Sequence, residues 1–505
     1  MLLKKGCSDP MNIAVLGSNI LRDPHTLDAC RALDFHSLTG RNTGNVVFED
    51  TVVSWFPTAE RVPWFKFMSQ PEAYGQTFDL LVFPLANQLG PHTDLRRLGE
   101  ALLKADVPVI GIGLGAQDSY GRPSLQVNDG TRSWVEVMAR LSPVSGQPNI
   151  SSRGFNSARL LDDLGILNVP LGCPSGLLSR DLTLGESILS RSQLPLQARV
   201  AVAAGHASWQ RLAHVERDLV SWLTQQGGSL DYILQSDDRL FRLADFARFG
   251  GEYEKLEETL QQVGEHMMPY ASERSLLTWV ERHSVAFGSI EDWRSHLRNF
   301  DLIAGSRIHG CLLAIQSGRA ALSIAGDKRV AELAIQTGTP FISRSQWPQR
   351  SSPDRLMDLS LAQVGQLDAV RYRNADGFVS FFKNLGVSPP EHLLSLAELR
   401  DSSKECSLTF PGASSPSCQV EAGLDLRLNR ELSGWYRCLN HPDYVLPCRV
   451  DVDGVWVDTI SSSAYRPDIT HEGNGTWSGF SLMRTVADFD VKKAEISLLN
   501  GDQIL

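Results

Sequence analysis

The sequence predicts an α/β protein: two doubly wound units in series, followed by a small all-β module. Three observations predict it. Apolar runs of strand length alternate with helical spacing up to about residue 190. The same alternation restarts at "ARVAVAAG" (198–205). After residue 385 the composition turns to Pro, Ser and Gly, and then to short strands and turns. Continuous apolar strands between amphipathic helices belong to a parallel sheet covered on both faces.

In the first unit, "NIAVLG" (12–17), "FDLLVFP" (78–84) and "VPVIGIGLG" (107–115) read as buried strands. "LRRLGEALLKA" (95–105) carries Leu95, Leu98, Leu102 and Leu103 at helical spacing. "NSARLLDDLGI" (156–166) is a further helix, with a short strand in "NVPLGCPS" after it. In the second unit, strands are expected in 198–205, "LDYILQS", "SVAFGS", "DLIAGS" (301–306), "AALSIAG" (320–326) and "TPFIS". Helices fall between them. "GVSPPEHLL" and "FPGASSPSCQVEAG" suit a linker. "CRVDVDGVWVDTI" suits a hairpin turning at Asp453-Gly454. The expected divisions are a tail 1–10, units 11–192 and 193–385, a linker 386–425 and a module 426–505. A cleft between two such units, beyond the strand C-termini, is where a ligand is expected.

The chain has 505 residues, 42% hydrophobic and 21% charged, with net charge −10 and pI about 5.7. No dense Lys/Arg run offsets that acidity, which argues against nucleic acid as a partner. No apolar run approaches the roughly 18 residues of a membrane span, and "MLLKKGCSDPMNIAVLG" lacks the apolar stretch of a signal peptide. The eight cysteines form no CxxC pair, so neither zinc nor a disulfide framework is expected. Cys438 and Cys448 flank an expected hairpin. A reducing cytosol is the simplest location, with contact to the inner membrane face only through a substrate.

"SRIHGCLLAIQSG" (306–318) is the most informative stretch. Ile308, Cys311, Leu312 and Ile315 form a buried helical stripe, with Ser306 as the expected N-cap and Gly318 as the stop. The strand "DLIAG" feeds directly into it. The helix start, with Ser306, Ile308 and Gly310 around it, therefore lies at the sheet's C-terminal edge, where free N–H groups attract anions. Arg307 adds a guanidinium fork suited to carboxylate or phosphate. The helix dipole disfavours a charged imidazole at His309, and a bound polyanion favours it, so binding would prepare His309 as a general acid. The structural alternative is an ion pair for Arg307 and a carbonyl bond for His309.

"FGSIEDWRSHLRNFDLIAGSRIHGCLLAIQSGRAALSIAGDKRVAEL" resembles the polysaccharide pyruvyl transferase family, with its [S/T]R-x-HG block and then D-x-R-x-x-E-L, here Asp327, Arg329, Glu332 and Leu333. "NTGNVVFED" (42–50), "VPVIGIGLGAQ" (107–117), "SSRGFNSARLLDDLGI" (151–166) and "GCPS" (172–175) resemble further blocks in order, over roughly 11–345. Many members carry Asp-Pro where this chain has Cys173-Pro174.

The resemblance implies two Rossmann-like domains in a GT-B-like arrangement. It implies transfer of the enolpyruvyl group of phosphoenolpyruvate to two hydroxyls of one sugar, giving a pyruvate ketal and phosphate. It makes His309 the candidate acid, and Arg307 the donor's anchor with Ser306, Ile308 and Gly310. Arg153 is a second anion-binding arginine, against a capping or interdomain ion-pair role. Gly44, Asn45, Gly113, Gly115, Gln117 and His206 are expected to line the cleft, although turn chemistry and tight packing also account for the glycines and Asn45. Asp327 is expected to cap its helix, and Glu332 to pair with Lys328 or Arg329. The expected partners are phosphoenolpyruvate and a glycan or lipid-linked sugar, with no cofactor and no metal.

"SGWYRCLNHPDYVLPCRVDVDGVWVDTI" and the strands after it resemble β modules appended to bacterial glycosyltransferases. Trp435, Trp456 and Trp477 suit either sugar stacking or a small core, and the module is a candidate for carbohydrate or protein contact. Two other enzyme classes fit parts of the pattern. One is a GT-B glycosyltransferase with a nucleotide-sugar donor. The other is a nicotinamide enzyme suggested by Gly111, Gly113 and Ala116, for which the acidic residue about 20 positions on is missing. A non-catalytic scaffold is the remaining alternative, and the Arg307–His309 pair argues against it.

Overall fold

The computed structural model describes residues 11–18, 32–117, 126–191, 199–207, 209–225, 231–326, 328–344, 347, 352–400 and seven strands between 420 and 498. The expected tail 1–10, Asp327 and the side chains of Trp435, Trp456 and Trp477 lie outside the described residues.

The first sheet holds β1 (Ile13–Gly17), β2 (Glu60–Pro63), β3 (Leu80–Pro84), β4 (Val109–Leu114), β5 (Ile150–Ser152) and β6 (Val169–Pro170), in the order β2-β1-β3-β4-β5-β6. All its pairings are parallel. β2 and β5 escape the apolar-run signal. β5 is "ISS", and its serines are buried but bonded: Gly113 N–H donates to Ser151 Oγ at 2.9 Å, and Ser152 Oγ donates to Asn168 Oδ1 at 2.9 Å.

The second sheet holds β7 (Val200–Ala203), β8 (Tyr232–Ile233), β9 (Ser284–Val285), β10 (Leu302–Gly305), β11 (Ala320–Ala325) and β12 (Phe341–Ser343), in the order β12-β11-β10-β7-β8-β9. These pairings are parallel too. The chain runs outward from β7 on one side and from β10 on the other. The switch point of this Rossmann-like sheet, where such folds bind ligands, therefore lies between β7 and β10.

Two expected boundaries are corrected. The helix Leu367–Asn384 leaves the second unit and returns to the first, where Phe378 and Phe382 pack on Val15, Val82 and Ile110. The expected linker at 386 instead continues into a helix, Glu391–Glu398, with Pro390 as N-cap and Leu393 and Leu396 buried in the same cluster. "SPPEHLL" is thus a helix start, since proline's missing N–H costs nothing there.

The first unit also reaches across to the second. Leu33 N–H donates to Asp245 Oδ2 at 3.0 Å, His36 stacks on Phe241 at 4.2 Å, and Thr43 N–H donates to the Gln235 carbonyl at 2.8 Å. These contacts bring residues 42–45 against the second unit's ligand edge.

The module starts at Val420, inside the expected linker. One sheet has β13 (Val420–Leu428), β14 (Glu431–Cys438), β18 (Asn474–Met483) and β17 (Ala464–His471) in that order. The other has β16 (Val455–Ser461), β15 (Pro447–Val452) and β19 (Ala494–Leu498). β15 and β16 form the expected hairpin, with Val452 opposite Val455. Cys438 and Cys448 sit in different sheets and do not flank one hairpin. Among the described residues, no helix is long and apolar enough to cross a membrane.

Candidate active site

β10 delivers the chain into the helix Ile308–Gln316, which starts one residue later than expected. Arg307, not Ser306, is the N-cap, and its side chain makes no capping bond. Ser306 is buried and its Oγ faces inward: a Cβ placed on Gly205 would lie 2.9 Å from it and 2.4 Å from Glu216 Oε2. Gly318 takes φ +76° and ends the helix as expected.

A cleft of about 710 Å³, including its open mouth, runs along this helix start. Ser306, Arg307, Ile308 and His309 line it from the second unit, and Asn45 and Arg153 line it from the first. His309 is buried. Its Nε2 is 3.9 Å from Cys173 Sγ, and its ring lies 6.2 Å from that of Phe48. Burial, then the charges of Arg153, Arg329 and Arg307, push its pKa from 6.5 down to about 3. At neutral pH, without an anion beside it, the imidazole is uncharged.

Arg153 is buried, and its bonds go to backbone carbonyls of the first unit. Its Nε donates to the Gly113 carbonyl at 2.9 Å and an Nη to the Leu85 carbonyl at 2.8 Å, while the guanidinium lies 4.5 Å from the Phe48 ring centroid. These contacts fix its plane at the cleft wall. Gly113 and Gly115 lie beneath it rather than on the cleft. Gly113 has φ +79°, a conformation that favours glycine. A Cβ at Gly115 would lie 2.4 Å from Asn87 Oδ1 and 3.1 Å from Arg153 Cδ. Gln117 is exposed, and its neighbour Ala116 lines the cleft in its place.

Gly44 caps the helix Asn45–Trp55 and approaches His309 so closely that a Cβ there would lie 3.0 Å from His309 Cβ. Gly310 is not among the residues that line the cleft, but it packs against one that is: a Cβ there would meet Gln235 Nε2 at 2.7 Å. His206 does not line the cleft. It stacks on Trp209 at 6.0 Å, and Trp209 in turn carries the Arg307 guanidinium 4.3 Å from its ring centroid. Asp237 lies 3.4 Å from His206 Nδ1, yet burial lowers its pKa to about 4.

Sequence reasoning left Arg329, Glu332, Asn42, Asn87 and Gln235 out of the cleft, though all line it. Asn87 follows β3 at the sheet's C-terminal edge, a signal that was readable. Asn42 and Gln235 meet only through the crossing between units. Glu332 packs over Gly154, whose Cβ would lie 2.6 Å from Glu332 Cδ. Three arginines, one carboxylate and one histidine, counted among the described residues, line this cleft, a set of groups whose guanidinium forks suit phosphate or carboxylate.

The fold is that of a two-domain α/β protein with a cleft at the second sheet's switch point. The family model for polysaccharide pyruvyl transferase matches residues 48–328, and the chain belongs to that family. It is an enzyme of pyruvyl transfer with phosphoenolpyruvate as donor. Solved structures with similarity include an E. coli ADP-heptose LPS heptosyltransferase II (11% identity, 71% of this chain and 98% of that one, TM-score 0.30). Others are a glycosyl transferase family 9 protein from Veillonella parvula (11%, 63% and 81%, 0.24) and the E. coli heptosyltransferase WaaC (12%, 70% and 98%, 0.25). No curated protein gives a significant match.

Proposed function

We propose that this enzyme places a pyruvate ketal on a sugar of a cell-surface polysaccharide or its lipid-linked precursor, with His309 as acid and Arg307, Arg153 and Arg329 holding the donor. The observation that carries the reading is the convergence of three guanidinium groups on one buried histidine at a helix start. Phosphate and carboxylate of the donor meet the arginines and the N–H groups of Ile308 and His309. Their negative charge opposes the burial and the arginine repulsion that together keep His309 neutral, so the imidazole gains a proton when the donor binds. It passes that proton to the donor's methylene carbon, positive charge develops at C2, and a sugar hydroxyl attacks there. Phosphate departs as the second hydroxyl closes the ketal. The free, buried thiols of Cys173 and Cys311 suit a reducing cytosol, with contact to the inner membrane face through the acceptor.

The test is thermal stabilisation by phosphoenolpyruvate, beside UDP-sugars, GDP-sugars and NAD. Stabilisation by phosphoenolpyruvate alone, lost in Arg307→Ala, is expected. Stabilisation by a nucleotide sugar alone overturns the reading and makes the helix start a diphosphate site.

A further inference from the structure

Ketal formation leaves one requirement unassigned: something must take the proton of the attacking hydroxyl. Among the described residues lining the cleft, those that titrate are His309, three arginines and Glu332. The other polar groups there are the amides of Asn42, Asn45, Asn87 and Gln235 and the hydroxyls of Ser157 and Ser306, none of them a base near neutral pH. His309 must act as the acid, and a guanidinium cannot accept a proton.

We propose that Glu332 is the general base of the reaction, a role that rests on the pyruvyl-transfer reading above. Its position supports this. The helix Lys328–Thr337 follows β11, the strand next to β10, and turns Arg329, Glu332 and Leu333 toward the cleft at i, i+3 and i+4. Glu332 is buried and crosses to the first unit, where its carboxylate packs on Gly154, next in sequence to Arg153. The carboxylate is thus on the same wall as two of the donor's guanidinium partners and on the same cleft as the acid.

The protons balance. As the hydroxyl oxygen bonds to C2, its proton passes to Glu332. His309 has already given the third hydrogen of the new methyl group. When the C2–O bond to phosphate breaks and the second hydroxyl closes the ring, that hydroxyl's proton leaves on phosphate. Proton exchange with water then returns Glu332 and His309 to their starting states. Since positive charge develops at C2 before attack is complete, a carboxylate of ordinary strength suffices.

The experiment measures phosphate release from phosphoenolpyruvate with the best acceptor from a panel of p-nitrophenyl hexopyranosides. Glu332→Gln keeps the shape over Gly154 and should lower kcat by about 100-fold or more, with stabilisation by phosphoenolpyruvate retained. Glu332→Ala should be restored about tenfold by added formate, a small carboxylate that replaces the missing base. Gly154→Ala, at an extended φ of −178° that alanine adopts freely, should displace the carboxylate and lower kcat while leaving its chemistry intact. Near-normal kcat in Glu332→Gln overturns the proposal and gives the proton to the departing phosphate. A loss that formate does not rescue, with lowered melting temperature in both Glu332 variants, also overturns it and leaves Glu332 as an interdomain clasp. Failure of phosphoenolpyruvate to stabilise the unsubstituted enzyme is a different result, and counts against the pyruvyl-transfer reading itself.

Discussion

Cys173 Sγ lies 3.9 Å from His309 Nε2 and 3.3 Å from Ser175 Oγ. A thiol is a weak hydrogen-bond partner and carries no charge to hold an imidazolium. The protonated state of His309 therefore depends on the donor rather than on the protein. Cys173→Asp would put a carboxylate beside the ring and raise its pKa by charge attraction. Since the acid must be protonated to act, activity is lost as pH rises through that pKa. The variant's alkaline limb of kcat should move to higher pH, which a pH–rate profile would read. His309→Gln should lose turnover by about 100-fold or more while keeping phosphoenolpyruvate binding within a few-fold.

Stability should fall on the acid side of neutrality. His309 is held down to about 3, and His206, His266 and His392 to about 4, each chiefly by burial. Below the usual histidine value of 6.5 the unfolded chain takes up protons that the folded one refuses, so stability drops as pH falls from about 6.5 toward 4. Glu49 acts in the opposite sense. Burial raises it from 4.5 to about 7, so its contribution is present below 4.5 and lost as pH rises through 7. Asp50, Asp162 and Glu216, also raised by burial, act with Glu49, and His36 and His214, also lowered by burial, act with the four histidines. Six groups against four leave melting temperature, measured from pH 7 to pH 4.5, expected to decline. A flat profile would contradict the buried, neutral histidines. Phosphoenolpyruvate should bind with proton uptake, seen by calorimetry in buffers of different ionisation enthalpy.

Gly44→Ala tests the crossing between units. The backbone at Gly44 is ordinary, φ −60° and ψ −18°, so alanine meets no strain of its own. Its Cβ would press on His309 Cβ at 3.0 Å. A stability loss of about 1–3 kcal/mol is expected from such overpacking, with kcat falling further than donor binding, measured by denaturant titration and steady-state kinetics.

Trp209→Ala removes the ring under the Arg307 guanidinium. A cation over an aromatic face contributes about 0.5–2 kcal/mol. The variant should raise KM for phosphoenolpyruvate by several-fold with a smaller change in kcat. Unchanged KM would mean the ring does not orient Arg307.

Much of this was legible in the chain itself. β1, β3, β4, β10 and β11 are apolar runs, and apolarity reveals a strand buried on both faces. The Arg307–His309 pair was legible because the strand "DLIAG" fixes where its helix begins. β5 was not, since Ser151 and Ser152 are buried with polar partners brought by Gly113 and Asn168. Glu332 stands out in the D-x-R-x-x-E-L block but reads only as an ion-pair partner within its helix, because Gly154, on which it packs, is 178 positions away in sequence. His206 is not among the cleft-lining residues for a different reason: its strand end reaches the switch point, but its ring stacks on Trp209, the ring that also carries the Arg307 guanidinium.

The return of residues 367–398 to the first sheet also orders events during synthesis. Val15, Leu80, Val82, Ile110 and Ile112 form one apolar face, and Phe378, Phe382, Leu393 and Leu396 help to cover it. A growing chain that has just finished the first unit still exposes part of that face to water. It must hold this surface until more than two hundred further residues have left the ribosome. The first half is thus the last to be completed, and a nascent chain stalled before residue 378 is a natural client for a chaperone.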